Sequence, residues 1–140
     1  MKLANTLIAL TLATSFALVG CGSTSTDTTK SATLAASTED ATSKIKTGVE
    51  KLSAVSSDLK KAIDAGDEAK IKETGPKLED EWSAFEDEVK PKFADLYEEI
   101  EKSLNPAIAA SKATPLDKAT LAKLNDDLSA TLKKLADKVK

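Results

Sequence analysis

The sequence predicts an all-α fold, an up-down-up-down antiparallel four-helix bundle, and three observations carry that prediction. Apolar residues recur at threes, fours and sevens in four successive stripes from residue 44 to the C-terminus. No alternating run of β-branched residues competes with that period. The stripes are joined by short connections marked by Gly66, Pro91 and Pro115, which implies antiparallel neighbours. A folded unit of this size buries nearly two thirds of its unfolded surface, enough for independent stability.

Ahead of the bundle, residues 1–20 read as a lipoprotein signal peptide. Lys2 supplies a positive start, and Leu7 to Val19 form an apolar stretch broken only by Thr11, Thr14 and Ser15. That stretch is short of the roughly 20 apolar residues a membrane-spanning helix needs. It ends in Leu18-Val19-Gly20-Cys21, the pattern of a bacterial lipobox, in which the cysteine is lipidated and becomes the mature N-terminus. Cys21 is the only cysteine, and an acyl anchor consumes a thiol that would otherwise be unpaired in an exported protein. The competing reading is an ordinary cleaved signal with a cysteine at the junction. Lipidation predicts a chain tethered to the extracytoplasmic face of the bacterial membrane through its lipid. Residues 21–43 are then the lipidated Cys and a linker, since twelve of the 22 residues from 22 to 43 are Ser or Thr.

The bundle domain is expected over residues 44–140, its first helix beginning near residue 39. Ile45, Val49, Leu52, Leu59 and Ile63 form that helix's stripe, with Ser56 filling a gap, and Gly66 ends it. Asp67 caps the second helix, whose stripe runs Ile71, Gly75, Leu78, Trp82, Phe85 and Val89. Gly75-Pro76 interrupts it with a kink or a restart, and the continuous phase favours a kink. Pro91 is expected in the first turn of the third helix, which carries Phe93, Leu96, Tyr97, Ile100, Leu104 and Ile108. Asn105-Pro106 is positioned to bend that helix, and Thr114-Pro115 ends it. The fourth opens near Leu116-Asp117 and carries Leu121, Leu124, Leu128, Leu132, Leu135 and Val139. The aromatic residues Trp82, Phe85, Phe93 and Tyr97 are expected in the core near the second corner.

Absences constrain the chemistry. The chain holds no His, Arg or Gln, so all twenty positive charges are Lys. Without His the usual general base and the commonest transition-metal ligand are missing. Without Arg there is no fork for bidentate phosphate recognition. Nucleophilic triads, zinc sites and most nucleotide chemistry are excluded, and a narrow bundle offers no cleft for carboxylate-driven glycoside hydrolysis. The expectation is that the protein is not an enzyme.

The net charge is −3, but its distribution matters more. Residues 79–101 hold ten acids opposed only by Lys90 and Lys92, a balance of −8 over 23 residues. From residue 112 onward seven Lys face four Asp, so the last helix is placed to shield the acidic hairpin. Nucleic acid is not the partner of such a surface. A cation is, and the side-chain ligands on offer are oxygen only, which select hard ions such as Fe(III), Mn(II), Ca(II) or Mg(II). Glu86 and Glu101 flank the apolar stripes at the core edge. The bland reading of the same carboxylates is a solvated face supported by pairs such as Glu86–Lys90 and Glu98–Lys102.

The order Ala62-x-x-Ala65-Gly66-Asp67, Trp82-x-x-Phe85-Glu86, Tyr97-x-x-Ile100-Glu101 and a final leucine-rich helix resembles a known helical domain. It is the extracytoplasmic domain associated with bacterial high-affinity iron permeases, related to Efe-type iron-uptake lipoproteins. The resemblance spans Leu59 to Leu135. It implies an accessory in uptake of iron or another hard cation, with a permease as partner and Glu86 and Glu101 as the metal positions carried over. The chain departs from the family in lacking a permease segment, a cupredoxin domain and the His-x-x-Glu pattern of imelysin-type sites. The alternative expectation is a ligand-free structural or protein-interaction bundle of the cell envelope.

Overall fold

The structure, a computed structural model, describes the backbone of residues 29–140 and side chains from Asp40 onward. Residues 1–20, read as a signal peptide, and Cys21 lie outside the described residues. Those residues form an all-α helical bundle of six segments: α1 (Thr29–Ala65), α2 (Glu68–Thr74), α3 (Lys77–Ser83), α4 (Glu86–Val89), α5 (Ala94–Lys112) and α6 (Lys118–Lys138).

α1 begins well ahead of the predicted start, so helix runs through residues 29–43, the greater part of the stretch read as linker. No glycine or proline interrupts that stretch, and extending an existing helix costs far less than nucleating one. Among the described side chains, Ala41, Ile45, Val49, Leu52, Leu59 and Ile63 are all buried. Gly66 ends α1 with φ +69°, the left-handed conformation that favours glycine. Gly66 N donates to Ile63 O and Asp67 N to Ala62 O, both at 3.0 Å, the paired bonds of a Schellman stop. Asp67 caps α2 as expected, its carboxylate accepting from Lys70 N at 3.0 Å.

The predicted second helix is three segments. Gly75 and Pro76 stay in the right-handed helical region, but the bonds tighten to Leu78 N→Gly75 O at 3.2 Å and Glu79 N→Pro76 O at 3.1 Å. The α-helical bonding is therefore interrupted at Gly75-Pro76, where the sequence placed a kink or a restart, while the backbone stays helical through it. A side chain at Gly75 would place its Cβ 1.9 Å from Ser111 Oγ, so glycine is what lets this corner lie against α5. A second break, at Phe85 (φ −142°, ψ −1°), was not foreseen. It seats the Phe85 ring on Gly48 of α1, where a Cβ would lie only 2.2 Å from Phe85 Cδ1.

Pro91 lies in the turn before α5, not in its first turn, because Phe93 occupies the cap position with a non-helical backbone. Pro106 sits inside α5 without ending it. Asp117 caps α6, accepting from Thr120 N at 3.0 Å and Thr120 Oγ1 at 2.6 Å. α1 packs against α2, α3 and α4 on one flank and α6 on another, and α5 touches both groups. The core between them holds Leu52, Leu59, Ile71, Leu78, Trp82, Ile100, Leu104, Leu121, Leu128, Leu132 and Leu135. One polar seam crosses it: Ser56 Oγ donates to Asn125 Oδ1 at 2.9 Å, and Asn125 Nδ2 donates to Ser56 O at 3.0 Å.

Candidate functional site, a carboxylate and phenol corner

Trp82, near the end of α3, is buried and anchors one end of the bundle. Phe85 meets it edge-on at 5.1 Å between ring centroids, and Tyr97 of α5 lies tilted against it at 5.6 Å. The break at Phe85 starts α4 at Glu86, which brings that carboxylate to the partly buried Tyr97. Tyr97 and Glu101 share a face of α5 because they are one turn apart.

The two carboxylates singled out from the sequence converge on this one phenol. Tyr97 Oη donates to Glu86 Oε2 at 3.4 Å. The phenol is held protonated well above its ordinary range, first by its hydrogen bond with Glu101, then by partial burial and by the negative charges of Glu101 and Glu86. Lys90, expected beside Glu86, stands with its ammonium 5.0 Å from the centre of the Tyr97 ring, a cation–π contact. The corner is an all-oxygen donor set of two carboxylates and a neutral phenol, with one ammonium against the ring. Trp82 Nε1, the sole buried side-chain N or O atom lacking a hydrogen-bond partner among the described residues, belongs to the same aromatic cluster.

The other acids of the hairpin do not join them. Glu88 pairs with Lys44 of α1 at 3.3 Å, and Glu99 pairs with Lys134 of α6 at 2.8 Å. The second contact is the shielding by the last helix that the charge distribution suggested. Among the described residues there is no group of three or more His, Cys, Asp or Glu side chains placed to hold a metal ion. Oxygen chemistry at the corner therefore rests on two carboxylates, with the phenol as a third donor. Sequence reasoning counted Tyr97 as core but did not place it between the two glutamates. The readable signal was the Tyr97–Glu101 spacing on a face whose apolar members already pointed toward Trp82.

The fold and corner define an all-α bundle bearing a small acidic–aromatic site at one end. No family model matches the chain, and no solved structure matches it. The chain is similar to the iron uptake system component EfeM of Bacillus subtilis (strain 168), 29% identical over 120 residues. The match covers 84% of this chain but 30% of that protein, so the chain spans less than a third of its relative's length. No helix among the described residues is long and apolar enough to cross a membrane.

Proposed function

We propose that this protein is a lipid-anchored accessory on the extracytoplasmic face of the bacterial membrane that assists uptake of iron or another hard cation. Cys21 carries the anchor, residues 1–20 are removed, and a permease is the partner that receives the cation. We read the six segments as four layers in up-down-up-down order, the second layer being α2, α3 and α4 in succession. Glu86 and Glu101 form the cation site, with the Tyr97 phenol as a neutral third donor.

Similarity to an iron uptake system component over most of the chain supports the cargo class. The convergence of Glu86 and Glu101 on Tyr97 is the single observation that supports the site. Carboxylate and phenol oxygens suit hard cations and leave soft ones unbound. So few donors make a weak site, which suits an accessory that hands its cargo on. Calorimetric titration of the mature chain with Fe(III), Mn(II) and Ca(II) tests the reading. Heat of binding that disappears in the Glu86→Gln, Glu101→Gln double variant is the expected result. Unchanged binding in that variant would overturn the site.

A second reading, a ligand-free interaction module, is favoured by the lack of a larger ligand cluster among the described residues. It predicts no binding heat for any of the three ions, together with salt-sensitive capture of a basic envelope protein.

A further inference from the structure

We propose that the end of the bundle carrying Glu86, Tyr97 and Glu101 is its membrane-facing end, held off the bilayer by the N-terminal part of α1 acting as a rigid strut. The inference rests on the anchor at Cys21 and follows from the lengths and directions of the helices. α1 has 37 residues and α6 has 21, a surplus of about 24 Å at 1.5 Å per residue. The C-terminal end of α1 and the N-terminal end of α6 are level: Lys118 at the start of α6 reaches Glu68, just past α1, at 3.7 Å. The surplus therefore lies beyond the opposite end.

That opposite end is the acidic corner. Lys44 of α1 contacts Glu88 of α4 at 3.3 Å, and Gly48 supports Phe85, the residue before Glu86. From Lys44 toward Thr29, α1 continues outward past this corner in the direction of Cys21. Residues 21–28 add a reach of at most about 29 Å. The corner is thus at the end of the bundle from which the chain leads back to the anchor.

Charge gives the strut a purpose. The hairpin's balance of −8, brought to −6 by the Lys44 and Lys134 pairs, is repelled by anionic headgroups over roughly one Debye length, about 8 Å at physiological ionic strength. A strut of about 24 Å exceeds that range. The corner therefore points at the membrane without lying on it.

The test uses the full lipidated chain in vesicles of zwitterionic and anionic phospholipid containing a headgroup-labelled energy acceptor. Ala94→Cys and Ala113→Cys place single donor dyes at the two ends of α5, both at exposed positions. The native cysteine does not react with dye when it is lipidated. Energy transfer at least about twofold higher from Ala94→Cys is expected, as the ~28 Å length of α5 requires. Removing residues 30–36, two helical turns, should raise transfer from Ala94→Cys further. Failure of the chain to float with the vesicles would overturn the anchor, and the proposal with it. Flotation with equal or reversed transfer would overturn the orientation alone, and transfer unmoved by the deletion would overturn the strut.

Discussion

Tyr97 is the chain's only tyrosine, so its ionisation can be followed without interference. An unperturbed phenol loses its proton near pH ~10. In the folded protein the Glu101 hydrogen bond and the two nearby carboxylates hold that proton to higher pH. The folded state's preference for the protonated phenol is therefore intact below about pH 10 and is lost as pH rises toward the folded value. Spectrophotometric titration of the folded chain should show a midpoint above the ordinary one, and Glu101→Gln should bring it back toward that value. A midpoint at the ordinary value in the parent chain would remove the phenol from between the carboxylates. Gly48 is the second informative residue. Any Cβ there meets the Phe85 ring, so Gly48→Ala should destabilise the fold by about 1–3 kcal/mol in urea unfolding, an overpacking cost. Phe85→Leu in the same chain should recover part of the loss.

At the scale of elements, the buried pair Ser56–Asn125 links α1 to α6 through two hydrogen bonds beside the apolar core. Asn125→Ala removes both hydrogen bonds between the Asn125 side chain and Ser56 and should cost about 1–3 kcal/mol by denaturant unfolding. Ser56 also lies 2.8 Å from Ser129 Oγ, which keeps a partner for its hydroxyl and holds the cost to that range. The apolar stripes, the cap at Asp67 and the opening of the last helix near Asp117 were readable from local sequence, because periodicity and capping are local properties. The break at Phe85 was not. Its cause is the fit of an aromatic ring against a glycine in another helix, and Gly48 carries no mark of that role in its own stretch of chain. The helical state of residues 29–43 was hidden for a related reason. Ser and Thr content argues for a linker, whereas an adjoining helix with no breaker between them decides the matter. The candidate corner was half legible: the charge run pointed to the hairpin, and the resemblance to iron-uptake proteins pointed to Glu86 and Glu101. Their meeting at Tyr97 depends on the start of α4, which only the three-dimensional arrangement supplies.

For the molecule as a whole, the acidic hairpin is divided by its partners. Lys44 and Lys134, from α1 and α6, neutralise Glu88 and Glu99, while Glu86 and Glu101 remain with a phenol. The proposed cation site is therefore a two-carboxylate corner at one end, not a broad acidic surface. Trp82 is the chain's only tryptophan and its ring lies 5.6 Å from that of Tyr97, so its emission reports on the corner directly. Mn(II), a hard paramagnetic ion, bound between Glu86 and Glu101 should quench Trp82 fluorescence along a saturable curve. That curve should vanish in the Glu86→Gln, Glu101→Gln double variant. Quenching that never saturates, or that is identical in parent and variant, would contradict the assignment of this corner as the cation site.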